Sequence, residues 1–146
     1  MPTAAKLVAA FCFALLAFVT CIAVEGTLPE DTRIGYIYEV SIASGALCGW
    51  FISGSARRTG YAEAAATGLR TAVTATVVAL GTLALATMIA ISMKGRYRGP
   101  TDAVLDIFQK FAEFGLLTLS IPALGTLFFG GMLAGIVTEN AGRRWR

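Results

Sequence analysis

Ser41-Ile-Ala-Ser-Gly45-Ala-Leu-Cys-Gly49-Trp-Phe-Ile-Ser53 sets a small residue at every fourth position of an otherwise apolar run. On a helix, four residues turn the chain through about 400°, so Ser41, Gly45, Gly49 and Ser53 form one slowly drifting groove where a second backbone can come close. Burial of apolar surface does not drive helices together in lipid, and close backbone approach along such a groove takes its place. The stretch reads as the packing seam of a helical membrane protein.

The rest of the chain agrees with that solvent. Of 146 residues, 56% are hydrophobic and 14% charged, and the mean hydropathy is +0.71, which is too apolar for an ordinary soluble domain and fits one small membrane domain, 1–146. The net charge is +3, but the 12 Lys and Arg sit in short stretches between apolar runs, with no basic stripe interleaved with aromatics. Nucleic acid is therefore not an expected partner. The absence of His removes the usual haem ligand, the HExxH zinc site and the Ser-His or Cys-His catalytic pair, so no cofactor is expected. Cys12, Cys21 and Cys48 all fall in apolar segments, and the nine-residue step between the first two puts them on opposite faces of one helix, a spacing for packing rather than ligation.

Working outward from the seam, spans are expected at 7–24, 34–53, 71–93 and 114–138. Leu7 to Val24 carries no charge and covers roughly 27 Å. A signal peptide is the competing reading, but the run exceeds a usual h-region, no small-x-small cleavage site follows, and Phe18-Val-Thr-Cys21 is a poor lipoprotein acceptor. Glu25 to Arg33 is a polar, turn-rich loop with Asp31 or Thr32 placed to cap the next helix. Tyr36 and Tyr38 open the second span and Trp50 and Phe51 close it, as two aromatic belts would. Glu39, one turn past Tyr36, reads as an interfacial carboxylate, against the sharper alternative of a buried proton carrier.

Arg57 and Arg58 lie in a loop of small residues that lacks the strand and Gly-Lys pattern of a phosphate cradle. Tyr61 to Arg70 is Ala-rich and helix-favouring, and Thr71 to Met93 is free of ionisable groups, with Thr82, Ala86 and Ala90 repeating the small-residue spacing. After Lys94-Gly-Arg-Tyr97-Arg-Gly-Pro100, a short amphipathic interfacial helix is expected over 101–113. It has Val104, Ile107, Phe108 and Phe111 on one side, Asp102, Asp106, Lys110 and Glu113 mostly on the other, and Asp106 and Lys110 as an i,i+4 pair. A cation site at Asp102, Asp106 and Glu113 is the alternative. Phe114 to Thr138 is uncharged, and Pro122 predicts a kink near Leu119 to Pro122. Gly131 and Gly135 make a second GxxxG, with Thr126, Gly130, Ala134 and Thr138 as a ladder beside it. Tyr36, Tyr38, Trp50, Tyr61, Tyr97 and Trp145 are the interfacial anchors.

The fold class is thus an all-α integral membrane protein of four transmembrane helices. Four spans put both termini on one side. Placing that side inside gives it Lys6, Arg57, Arg58, Arg70, Arg143, Arg144 and Arg146, against Arg33, Lys94, Arg96, Arg98 and Lys110 outside, so cytoplasmic termini are expected.

Met1-Pro-Thr-Ala-Ala-Lys-Leu-Val-Ala-Ala10, Leu47-Cys-Gly-Trp50, Gly95-Arg-Tyr-Arg-Gly-Pro100, Asp106-Ile-Phe-Gln109 and the closing Ala-x-Arg-Arg-Trp-Arg resemble the TrgA-type tellurium-resistance membrane proteins of alphaproteobacteria. The likeness runs from end to end, and its motifs are not catalytic signatures. The resemblance implies a small bacterial inner-membrane protein linked to tellurite tolerance, with no mechanism attached to particular residues.

Three functions compete. The paired ladders favour a non-catalytic protein that associates with other membrane helices, as a homo-oligomer or as an accessory or scaffolding subunit of a photosynthetic or respiratory complex; on this reading a large residue at Gly45 or Gly49 disrupts assembly. An oligomeric oxyanion transporter is the alternative, although the first, third and fourth spans carry no charge to line a path. A thiol-dependent reductase would have to use Cys12, Cys21 or Cys48, and a thiol in apolar surroundings holds little thiolate; no enzyme is expected.

Overall fold

The computed structural model describes residues 4–26, 36–55, 60–93 and 100–144, and among these it is helical with no strand. Five helices follow in order: α1 (Ala4–Glu25), α2 (Ile37–Phe51), α3 (Tyr61–Ser92), α4 (Pro100–Thr118) and α5 (Ile121–Arg144), with a 3-10 turn, Ser53–Ser55, after α2. Three of them, α1, α3 and α5, are long and apolar enough to cross a membrane. The 15 residues of α2 measure about 22 Å, short of the roughly 30 Å of hydrocarbon.

Local chemistry sets the ends of these helices. No Gly or Pro interrupts 4–25, and the helix stops where the Gly26 N–H bonds to the Ile22 carbonyl at 3.1 Å. Gly60 leads into α3 at φ 151°, ψ 167°, a conformation that only glycine adopts without strain. Pro100 stands first in α4, where its missing N–H costs nothing.

α2 runs antiparallel to α1, with Gly45 opposite Phe13 and Gly49 opposite Ala9, and α5 runs antiparallel to α3, with Gly131 opposite Ala72 and Gly135 opposite Ala64. α1 also packs on α5 and α2 on α3, which closes the cycle α1–α2–α3–α5, while α4 packs chiefly on α3. Phe13, Ala72 and Ala134 meet at the centre of the cycle, with Cys12, Leu16 and Leu127 against them.

Size is sorted the opposite way from a protein that folds in water. The interior is mostly small: Ala5, Ala9, Ser41, Ser44, Cys48, Ala65, Thr71, Ala72, Ala75, Ala79 and Ala134 are all buried. The large apolar side chains face out, among them Leu7, Phe11, Leu15 and Ile22 on α1 and Val73, Val77 and Leu85 on α3. Water would penalise that surface, whereas lipid accepts it and rewards close backbone approach inside.

Several expected boundaries are corrected. The span expected at 71–93 is the later part of one helix that already begins at Tyr61. Among the described residues of the run 34–53, Tyr36 is a turn and the α-helix covers Ile37–Phe51 before the 3-10 turn. The span 114–138 does not exist as one helix: Phe114–Thr118 belong to α4, which outruns the expected 101–113, and α5 starts at Ile121 and extends to Arg144. The expected kink is a full break. Pro122 has no N–H to give to Thr118, and the residue before a proline is disfavoured in a helix. Leu119 therefore donates back to Gly115 at 3.0 Å, and Leu124 opens the next ladder on the Ser120 carbonyl at 2.9 Å. The Ser120 Oγ is buried at this break with no hydrogen-bond partner among the described residues.

Candidate functional site

Two glycine seams and the cleft they frame make up the candidate site. In the first seam a Cβ on Gly45 would lie 2.6 Å from the Phe13 carbonyl oxygen, and one on Gly49 would lie 2.7 Å from the Ala9 carbonyl oxygen. The same seam continues past α2, where a Cβ on Gly54 would lie 2.8 Å from Lys6 Cα. Ser41 and Ser53 are buried in line with it, and Ser44 Oγ donates to the Ser41 carbonyl at 2.9 Å. In the second seam a Cβ on Gly135 would meet the Ala64 carbonyl oxygen and, at 2.9 Å, Gly68 Cα; one on Gly131 would come within 2.9 Å of Ala72 Cβ. Gly68 completes it from the α3 side, facing the Gly131 carbonyl oxygen. Gly130, one position round from Gly131, faces the Leu16 side chain of α1, and Ala134 lies in the central cluster.

Both ladders are thus occupied within one chain, by α1 and by α3. Sequence reasoning identified the ladders on α2 and α5 but not their counterparts, because α1 answers α2 with Ala9, Phe13 and Ala17 rather than with glycines. Gly68 could have been found from Ala64-x-x-x-Gly68-x-x-x-Ala72, a small ladder within the stretch read only as helix-favouring. On the outer half of α3, Thr82, Ala86 and Ala90 are exposed.

Each end of the bundle is closed by polar contacts. At one end Tyr38 donates its hydroxyl to Glu25 Oε2, and its ring lies 5.7 Å from that of Phe18. At the other, Arg143 Nε donates to Glu139 Oε1 at 2.8 Å, and the guanidinium sits 4.8 Å over the Tyr61 ring. Glu139 is only 8% exposed and Arg143 46%, so the arginine supplies the buried carboxylate's charged partner while reaching solvent itself. The i,i+4 spacing of the two was visible in the sequence; the burial of Glu139 was not. Of the other expected anchors, Tyr36 is exposed and Trp50 half-buried, while Tyr97 and Trp145 lie outside the described residues. Glu39 is exposed.

α4 offers three faces. Phe114 is buried, Asp102, Gln109 and Glu113 are exposed, and Val104, Leu105, Phe108 and Leu116 form an exposed apolar arc. Lys110 Nζ pairs with Glu113 Oε2 at 2.7 Å. Among the described residues no three of His, Cys, Asp and Glu come together around a point where a metal ion could sit. Cys12, Cys21 and Cys48 are free thiols, the first half-buried and the other two buried.

Between the seams lies an apolar cleft of about 770 Å³, counted out to its open mouth, lined by α1, α2 and α3 with Phe114 and Thr118 of α4 and Leu127 of α5. Four of its five hydroxyls donate to carbonyls of their own helices, and the fifth, that of Ser41, pairs with the Cys21 thiol. Thr20 donates to the Leu16 carbonyl, Thr76 to that of Ala72 and Thr118 to that of Phe114. The same back-bonding holds for Thr67, Thr71 and Thr74 on α3, which satisfies each hydroxyl where no water is available.

Comparison of the chain with protein-family models, with curated proteins and with solved structures finds no match.

Proposed function

We propose that the chain is a four-pass protein of the bacterial inner membrane, with both termini in the cytoplasm, that acts without catalysis through contacts with lipid and neighbouring membrane helices. The observation that carries this reading is the sorting of side chains by size, with alanine, glycine and serine inside and leucine, phenylalanine and valine outside. That surface is stable only where hydrocarbon is the solvent. The short α2 fits a fourth pass because it accompanies α1 along nearly its whole length, from Tyr38 beside Glu25 to Gly54 against Lys6.

An accessory or scaffolding role in a photosynthetic or respiratory complex, with tellurite tolerance as its outward sign, follows from the TrgA resemblance. The geometry alters how such a role would work. Gly45, Gly49, Gly131 and Gly135 hold the chain's own helices together, so a partner must use the outward faces, of which the apolar arc of α4 is the most distinct. The oxyanion-transport alternative draws less support, since the threonines that could line a path donate their protons to their own helices.

Gentle detergent extraction from the native membrane, native-gel sizing and mass spectrometry of what travels with the protein test this reading. A stoichiometric larger partner supports it. Recovery as a lone chain, with anion flux in reconstituted vesicles, would replace it with transport.

A further inference from the structure

We infer that the cleft between α1, α2 and α3 holds one acyl chain of a membrane phospholipid. The inference rests on the membrane placement proposed above, and four features of the cleft lead to it.

Its length is that of one leaflet. Along α1 it runs from Phe13 to Val24 and along α3 from Ala72 to Leu83, each about 16 Å of helix, half the roughly 30 Å of a bilayer's hydrocarbon. Its two ends differ as the two ends of a leaflet do. Phe13, packed with Ala72 and Ala134, closes the mid-bundle end, while the opposite end, at Val24 and Ile37, adjoins the polar pair of Glu25 and Tyr38.

Its lining is dry. The hydroxyls of Thr20, Ser44, Thr76 and Thr118 are bonded to carbonyls of their own helices and that of Ser41 pairs with the Cys21 thiol, so a water inside would lack the two to four free partners that hold buried water, and a headgroup would find little to bind. Hydrocarbon is the occupant that needs no such partner. The space is also built into the sequence: Ala72, Ala75 and Ala79 present methyl groups where leucines would fill the gap. Left empty, the enclosed part of the cleft would forfeit dispersion contacts of the side chains around it.

The test is photolabelling of the reconstituted full-length protein in vesicles containing a phosphatidylethanolamine with a diazirine in its acyl chain, followed by mapping of the labelled residues. The inference expects label on cleft residues such as Cys21, Ala75 and Ala79, and loss of that label, with outward labelling retained, in Ala79→Phe. Label confined to outward positions such as Val73, Val77 and Val78, in protein that sediments with the vesicles, overturns the cleft assignment and leaves the membrane placement standing. Protein that neither sediments nor labels overturns both. Should Ala79→Phe fail to fold, the wild-type map decides alone; should it fold and keep its cleft label, the inference is wrong.

Discussion

Replacing glycine by alanine should have opposite signs at different positions in this bundle. At Gly45 the new methyl would stand 2.6 Å from the Phe13 carbonyl oxygen, 3.0 Å from Ala17 Cβ and 3.2 Å from the Phe13 carbonyl carbon. Two of those three atoms are backbone, so relief requires α2 to back away from α1 as a body, by about 0.8 Å to regain ordinary contact, which loosens Gly49 and its contacts as well. Overpacking of this kind costs about 1–3 kcal/mol, and the better helix propensity of alanine returns about 1 kcal/mol. The net loss at Gly45 is then up to about 2 kcal/mol. Gly135→Ala loses at least as much, because everything its methyl would meet is backbone: the Ala64 carbonyl and Gly68 Cα. At Gly81 and Gly125 a methyl meets nothing within 4 Å, so the same change stabilises by about 0.5–1 kcal/mol. Cys21 and Cys48, both buried, supply the readout as thermal unfolding in one fixed mild detergent exposes them to a thiol-reactive dye. The reasoning fails if Gly45→Ala or Gly135→Ala unfolds at or above the wild-type temperature, or if Gly81→Ala falls with them. Because the seam is internal, Gly45→Leu should unfold the isolated chain and not merely its assemblies.

Gly60 is a third kind of glycine: no atom lies within 4 Å of its added methyl, yet its φ of 151° makes Gly60→Ala cost about 1–3 kcal/mol through backbone strain, seen as a lower Tm in the same assay. Arg143→Ala should lower the Tm more than Arg144→Ala, because it strands the Glu139 carboxylate at 8% exposure; adding Glu139→Gln to Arg143→Ala should recover part of the loss, which a double-mutant cycle reads directly. Ser120→Ala should be neutral within about 0.5 kcal/mol or slightly stabilising in denaturant titration, since the Oγ it removes is buried without a partner. In a Cys-free background, a membrane-impermeant maleimide applied from the periplasmic side should label Asp102→Cys and spare Glu63→Cys; the reverse pattern would invert the proposed topology.

The parts of the fold legible in the sequence were those set by local pattern. Uncharged runs over 7–24 and 71–93 marked α1 and most of α3 because hydrophobic length is a property of one segment at a time, and Pro122 placed the break between α4 and α5 within a few residues. What escaped was set by pairs of segments. The partner of the Gly45/Gly49 groove is a helix with no glycine in it, and a seam whose second wall is Phe13 and Ala9 has no signature of its own. The long-range contact of Tyr38 with Glu25 left no trace either, since the two stand 13 residues apart, one at the end of α1 and the other at the start of α2. The cleft was illegible for the same reason: Ala72, Ala75 and Ala79 look like ordinary helix formers until α1, α2 and α3 are seen to line one space together.

The unequal lengths of the helices have a consequence for the membrane around them. On the four-pass reading, lipid beside α2 meets a helix of 15 residues, about 22 Å, while the part of α3 free of ionisable groups, Thr71 to Ser92, measures about 33 Å. No flat bilayer of uniform thickness suits both. The sheet must thin at the α2 corner while α3 leans or protrudes, each adjustment costing a fraction of a kcal/mol per Å of mismatch. On that reading the protein would deform its surroundings as a wedge does and would settle where the membrane is already thin or bent.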